Sequence, residues 1–393
     1  MEHDYILEVK NITKDFPGVR ALDNVDFKVK RGEIHCLVGE NGAGKSTLMN
    51  VVSGVYPKGT YEGEVVFKGK VTHYKSTKDS EIDGLAIIHQ ELTLSPYLSI
   101  FENLFLGHMK TKFGVINWDK CLKDSYPLLK RVGLQEKPQT IVSKMSVGKQ
   151  QLVEIARAIS LNAELLIFDE PTSSLNDDES QKLLSLLREF RDSGITCIMI
   201  SHKLDEVLSV ADSITILRDG LSIETIDCNS DKVTEARIIK GMVGRELKNL
   251  FPKKEPNIGK VFFEVKNWSV YHPDYHTMKI VDDASFFVKK GEIVSFCGPM
   301  GAGRTELMMS IFGASYGYGE TGEVFINGEK VNLSTSKQAI EAGVVYVSED
   351  RKNLGLILIQ DVKTNITNSS LPTLSKHGIM NKDLEIQKAE ELR

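Results

Sequence analysis

A long internal repeat constrains this chain more than any other feature. Arg31-Gly32-Glu33-Ile34 recurs as Lys290-Gly291-Glu292-Ile293. Gly39-Glu40-Asn41-Gly42-Ala43-Gly44-Lys45-Ser46-Thr47 recurs as Gly298-Pro299-Met300-Gly301-Ala302-Gly303-Arg304-Thr305-Glu306. Gly63-Glu64-Val65 returns as Gly322-Glu323-Val324, and Gly84 as Gly343, all at one offset of 259. Upstream, Leu7-Glu8-Val9-Lys10-Asn11 matches Phe263-Glu264-Val265-Lys266-Asn267 at an offset of 256, so three residues are added near Tyr271–His276. A period this long excludes a solenoid and predicts a duplicated domain. The seam at 251–260 reads FPKKEPNIGK, the proline- and lysine-rich composition of an exposed linker. The expected organisation is a first domain at 1–250, a linker at 251–260 and a partial second domain at 261–393.

Local pattern gives the fold class. Ile6–Ile12, Val25–Lys30 and Glu64–Lys68 alternate or are β-branched and read as strands of an antiparallel subdomain. Ile34–Val38, Leu165–Phe168 and Cys197–Ile200 are short apolar runs, as in buried parallel strands. Lys45–Ser53 reads as a helix closed by Gly54, and Leu152–Leu161 and Asp178–Arg191 as further helices. Ile214–Leu217 and Ser222–Ile226, joined through Asp219-Gly220, read as a hairpin. Strands alternating with helices around a parallel core make an α/β fold. The formal charge of −5 gives no support to a general nucleic-acid grip. No apolar run reaches the ~18 residues of a membrane span, and the acidic start lacks a signal-peptide pattern, so a cytosolic chain is expected. Five scattered cysteines argue against a disulfide framework or a structural zinc.

The chemistry lies in three motifs. Gly39-x-x-x-x-Gly44-Lys45-Ser46 is a P-loop between an expected strand and an expected helix. Gly42 and Gly44 let successive N–H groups face phosphates, and the helix N-terminus adds partial positive charge. Lys45 is expected to reach the β- and γ-phosphates of ATP, Ser46 to ligate Mg²⁺, and Thr47 to touch the α-phosphate. Gly39 and Asn41 complete the ATP-binding loop. Leu165-Leu166-Ile167-Phe168-Asp169-Glu170 is an apolar strand ending in two carboxylates, expected to hold Mg²⁺ (Asp169) and polarise the attacking water (Glu170). Ser146-Val147-Gly148-Lys149-Gln150-Gln151 lies 23 residues before Asp169.

That third motif resembles the signature of ABC-type ATPases, and the neighbouring residues agree. Gln90, in Ile87-Ile88-His89-Gln90-Glu91, resembles the family's Q-loop. Asp169-Glu170-Pro171-Thr172-Ser173-Ser174-Leu175 resembles Walker B running into the D-loop, and His202 the switch histidine. Phe16 resembles the aromatic residue that stacks on adenine. The resemblance implies that Ser146, Gly148 and Gln150 serve a nucleotide held by an opposing domain. It also implies that Gln90 senses Mg²⁺ and the attacking water, and that His202 bonds the γ-phosphate. Met145, Val147, Lys149 and Asn176 depart from the usual residues.

The second copy is degenerate. Arg304 replaces the P-loop lysine and Glu349 the Q-loop amide, while Gly301, Gly303 and Thr305 remain. Val347-Ser348-Glu349-Asp350-Arg351-Lys352-Asn353-Leu354-Gly355-Leu356 is similar to a segment of fused monosaccharide-import ATPases, with xylose and multiple-sugar importers most alike and ribose and galactose importers next. That resemblance implies a membrane permease and, indirectly, an extracytoplasmic sugar-binding protein as partners, with no nucleic acid. It implies a peripheral position on the cytoplasmic face of the membrane. Asn365 matches Asn103 at an offset of 262, which puts a second signature near position 408 and a second Walker B near 431. Low ATPase activity is therefore expected of the isolated chain, unless first copies pair as a homodimer. The rival readings are a regulatory fragment and a nucleic-acid-associated tandem ATPase. Only 100 residues without heptads separate Ser46 from Ser146, against the coiled coils of DNA-repair members.

Overall fold

The computed structural model describes residues 4–90, 92–112, 114–173, 175–231, 233–245, 256–299, 301–348 and 354–392. The chain forms two compact units, Met1–Pro252 and Lys253–Arg393. Part of the expected linker, 251–255, lies outside the described residues.

The first unit opens with β1 (Tyr5–Phe16), β2 (Val19–Lys30), β3 (Ile34–Val38), α1 (Lys45–Val52), β4 (Glu62–Phe67) and β5 (Lys70–Val71). It continues through α2 (Thr77–Asp83), β6 (Leu85–Ile88), α3 (Ile100–Phe105), the short β7 (Thr111–Lys112) and β8 (Val115–Ile116), α4 (Trp118–Arg131) and α5 (Val147–Ser160). Then come β9 (Leu165–Asp169), α6 (Asp177–Asp192), β10 (Thr196–Ile200), α7 (Leu204–Val210), β11 (Ser213–Arg218), β12 (Leu221–Asp227) and α8 (Glu235–Val243).

Two sheets form the core. The six-stranded sheet has the order β12-β11-β3-β10-β9-β6. Its neighbours from β11 to β6 pair in parallel, and β12 closes one edge antiparallel through the Asp219-Gly220 turn. The period-2 alternation of strand side chains splits the apolar runs between two cores. Cys36, Val38, Phe168 and Met199 join the α5 and α6 leucines and valines on one face. Leu37, Ile167, Ile198 and Ile200 face α1 and the antiparallel sheet β2-β1-β4-β5 on the other. Burial on both faces explains why these strands read as continuous apolar runs.

A polar chain crosses this core. His35 Nδ1 meets Glu33 Oε1 at 2.9 Å, and its Nε2 meets Thr215 Oγ1 at 2.8 Å, joining β3 to β11. Burial would raise the Glu33 carboxyl. Bonds from His35, the Lys30 N–H and Ser213 outweigh it and hold that carboxyl below its ordinary value.

The second unit repeats the antiparallel part. β13 (Val261–Tyr271), β14 (Lys279–Lys289), α9 (Arg304–Ile311), β15 (Tyr318–Ile326) and β16 (Glu329–Val331) give a sheet in the order β14-β13-β15-β16, matching β2-β1-β4-β5. The three added residues fall in the β13–β14 connection, where His272 Nδ1 accepts from the N–H groups of Asp274 and Tyr275. Next are α10 (Ser336–Glu341), α11 (Val362–Thr367), α12 (Leu371–Leu374), β17 (Ser375–Lys376), β18 (Ile379–Met380) and α13 (Lys382–Leu392).

The offset of 262 reappears as hydrogen bonding. Asn103 accepts from the Ser95 N–H and donates to the carbonyls of Ser95, Leu98 and Ser99. Asn365 accepts from Ile357 and donates to Ile357, Gln360 and Asp361. The copies part company at β3. That strand lies between β10 and β11, whereas Ile293–Cys297 enters no ladder among the described residues, and Ile293 is 95% exposed.

Candidate functional site

Four adjacent parallel strands deliver the site. β3, β10, β9 and β6 are neighbours in the six-stranded sheet, and the P-loop, His202, the Asp169-Glu170 pair and Gln90 lie at or just beyond their respective carboxyl ends. That is where open parallel sheets bind ligands.

From β3 the chain enters the P-loop. Gly44 has φ of +99°, and a Cβ there would lie 2.7 Å from the Ala21 carbonyl oxygen. Only glycine fits, and it caps α1 with the helix N–H groups directed into the loop. A Cβ at Gly39 would lie 2.3 Å from the Leu217 carbonyl oxygen, so β11 presses the loop from behind. Lys45 is 6% exposed, and its ammonium donates to the carbonyls of Gly39 at 2.8 Å and Glu40 at 2.9 Å. Burial pushes its pKa down, against the opposing pull of Glu170 and Asp169. Asn41 and Ser46 are exposed, and Thr47 is half-buried.

From β9 come the carboxylates. Ser46 Oγ lies 3.5 Å from Asp169 Oδ1. Burial raises the Asp169 carboxyl above its ordinary value; Ser46 lowers it, and the neighbouring Glu170 adds to the rise. A cation beside it would reverse that effect. A hydroxyl and a carboxylate are hard oxygen donors, a set that fits Mg²⁺. Glu170 adopts φ of +49°, a left-handed conformation that non-glycine residues rarely occupy. Its N–H bonds the Ile200 carbonyl at 3.0 Å, which ties the turn to β10.

Glu170 gathers the other two motifs. Its Oε2 accepts from Gln90 Nε2 at 3.1 Å, and its Oε1 lies 3.3 Å from His202 Nδ1. Gln90 follows β6 and His202 follows β10, so one carboxylate at the end of β9 links residues from the two strand ends beside it. A further network supports this turn and was not read from the sequence. The Thr172 hydroxyl donates to Glu206 at 2.6 Å, and Lys203 donates to Glu206 and to the Thr172 carbonyl, each at 3.1 Å. The signal available was Lys203-x-x-Glu206, an i,i+3 pair immediately after the switch histidine.

Ser146 caps α5, which begins at Val147, so the signature forms the first turn of the helix rather than a loop before Leu152. Gln150 Nε2 reaches back to the Met145 carbonyl at 2.9 Å. Gly148 faces the Glu179 carboxylate, where a Cβ would lie 2.5 Å from Oε1. Phe16 is half-buried at the β1–β2 tip, 5.6 Å edge-on from Tyr56, with the Lys14 ammonium 5.0 Å above its ring.

In the second unit Gly303 caps α9 with φ of +82°, as Gly44 caps α1. Arg304 and Thr305 are exposed where Lys45 is buried. Glu349 lies outside the described residues, as do Met300, Ser174, Glu91 and residues 350–353 of the sugar-importer segment.

The family model described as ABC transporter matches residues 22–173 and 281–391, in both units. The chain belongs to the ABC transporter family. Its relatives include the L-arabinose transport ATP-binding protein AraG of Geobacillus stearothermophilus, 56% identical over 99% of this chain and 76% of that protein. The xylose import ATP-binding protein XylG of Thermoanaerobacter pseudethanolicus is 51% identical, with the same coverage of each. Among solved structures, an ATP-binding cassette in its ADP conformation superposes with a TM-score of 0.54 and 25% identity, over 61% of this chain and 99% of that one. A dimeric cassette bound to ADP and phosphate gives 0.50 and 25%, over 56% and 98%. The fold of the first unit is thus the P-loop ATPase fold of ABC cassettes, an ATP-hydrolysing type. No helix among the described residues is long and apolar enough to cross a membrane.

Proposed function

We propose that this chain is the ATP-hydrolysing subunit that energises import of a monosaccharide, a pentose by preference, through a membrane permease. The observation that carries the catalytic part is the Glu170 carboxylate, held between Gln90 and His202 at the end of β9. L-arabinose and xylose, in the names of the two relatives above, are both pentoses.

The residues divide the work. The P-loop N–H groups and Lys45 hold the β- and γ-phosphates, and Phe16 offers its ring to adenine. Ser46, Asp169 and Gln90 would hold Mg²⁺, which supplies charge neutralisation at the phosphates when bound. Glu170 accepts a proton from the attacking water, and Gln90 fixes the direction of its carboxylate. His202 donates to the γ-phosphate. Ser146, Gly148 and Gln150 present a helix N-terminus to a nucleotide held by an opposing ATP-binding unit. In the second unit Gly301, Gly303, Arg304 and Thr305 form a weaker phosphate loop, because an exposed guanidinium cannot tuck into the loop as Lys45 does. The permease and a sugar-binding protein are the partners, which places the chain at the cytoplasmic face of the membrane.

The test joins the chain with the permease and sugar-binding protein of its own system in lipid vesicles. L-arabinose or xylose should accelerate ATP hydrolysis and drive sugar uptake. Hydrolysis indifferent to the permease and to both sugars would refute the reading.

A further inference from the structure

Two neighbouring turns carry Glu170 and His202. One follows β9 and the other follows β10, which lie side by side in the sheet. They meet in front, where Glu170 Oε1 lies 3.3 Å from His202 Nδ1. They are tied at the base by the bond from the Glu170 N–H to the Ile200 carbonyl. Neither tie fixes the direction of the His202 ring, which is exposed. The left-handed Glu170 persists only where its surroundings over-determine it.

A second set of ties lies behind the turns. Thr172 and Glu206 are both buried. The Thr172 hydroxyl donates to Glu206 Oε2 at 2.6 Å, so the turn after Glu170 is bonded to the first turn of α7. Lys203 Nζ donates to Glu206 Oε1 and to the Thr172 carbonyl, each at 3.1 Å. The Lys203 N–H bonds the hydroxyl of buried Ser201 at 3.1 Å, so both chain neighbours of His202 belong to the network. The ties close a ring that runs from Glu170 through Thr172, Glu206, Lys203 and His202 back to Glu170. A buried carboxylate is tolerated when paired and hydrogen-bonded, as Glu206 is. Apolar groups of similar volume often serve stability as well as a buried ion pair does. What they lack is the direction that these bonds impose on two turns at once.

We infer that Thr172, Lys203 and Glu206 are positioning residues for hydrolysis. They hold the β9 and β10 turns in one register, so that the Glu170 carboxylate and the His202 ring address the same γ-phosphate. None of the roles assigned at the nucleotide uses these three side chains. The inference rests on the reading of Glu170 as the group that accepts the proton of the attacking water.

The test uses the chain assembled with the permease and sugar-binding protein of its own system in lipid vesicles. Thr172→Val replaces the hydroxyl by a methyl group at nearly constant volume. It should lower kcat about tenfold, while ATP affinity by equilibrium titration stays within about twofold. Thr172→Ser, which keeps the hydroxyl, should restore most of the rate. In a Glu170→Gln background Thr172→Val should slow single-turnover cleavage no further, because groups that act as a unit are not additive. Lys203→Met, at a half-buried position, should show the same split between kcat and affinity and keeps the test decisive if Thr172→Val fails to fold. Wild-type kcat in folded Thr172→Val, beside an inactive Glu170→Gln, would overturn the positioning role alone. An equal loss of ATP affinity and kcat, or a loss undiminished on Glu170→Gln, would reduce the network to structural support and overturn it too. Wild-type turnover by Glu170→Gln itself would overturn the reading of Glu170 and the inference resting on it.

Discussion

At the scale of single residues the site rests on a few positions that accept no substitute. Gly44 combines a left-handed backbone with a carbonyl 2.7 Å from any Cβ. Gly44→Ala should cost about 2 kcal/mol of stability or more, read by denaturant unfolding. Asp169 makes a prediction of opposite sign. Its folded pKa is raised, chiefly by burial, so its ionised form opposes folding. Below the ordinary value of about 4, both folded and unfolded chains hold the proton and nothing is gained by removing the charge. As pH rises through the raised folded pKa the penalty grows. Asp169→Asn should therefore raise the melting temperature at pH 7, and the gain should vanish near pH 4 without Mg²⁺. Much of this was legible in the sequence, because a P-loop keeps its chemistry within eight consecutive positions. The left-handed Glu170 was not. Its conformation is imposed by the bond to Ile200 on a strand far along the chain.

At the scale of elements, helix ends and their caps decide where the functional groups point. Sequence pattern starts a helix at Leu152, whereas α5 starts at Val147. Gly148 has low helix propensity and hides the first turn, which begins directly after the extended backbone of Ser146. The hidden turn carries the Ser146–Gln150 motif, so the misplaced boundary falls on the segment proposed to serve an opposing nucleotide. Asn103 and Asn365 show the reverse case, where a one-residue match at an offset of 262 identifies a shared loop. Asn103 is buried and its amide closes four hydrogen bonds before and into α3. Asn103→Ala should destabilise the first unit by about 2 kcal/mol, and the half-buried Asn365→Ala the second by about 1, in separate unfolding transitions. Equal effects on a single transition would show that the two loops are not independent copies.

At the scale of the whole molecule the repeat yields two units with different phosphate loops. The antiparallel sheet and the glycine cap of the phosphate loop are present in both. The buried lysine and the bridged glutamate are described in the first. Lys45→Ala should lower ATP affinity of the full chain at least tenfold, about 1.4 kcal/mol, by equilibrium titration. Arg304→Ala should have a smaller effect on hydrolysis than Lys45→Ala, since its exposed guanidinium has more solvent competition. The repeat made the duplication readable. It left unread how β3 is held, because its neighbours β10 and β11 pair with it across long stretches of chain. The central claim is that Glu170 takes the proton from the attacking water. The most direct measurement assembles the wild-type chain or Glu170→Gln with the permease of its own system, incubates each with radiolabelled Mg-ATP and identifies the nucleotide that stays bound. The wild type should release ADP, and Glu170→Gln should retain uncleaved ATP with hydrolysis reduced at least a hundredfold, within the range for a lost general base. ADP formation at the wild-type rate in the variant would contradict the assignment.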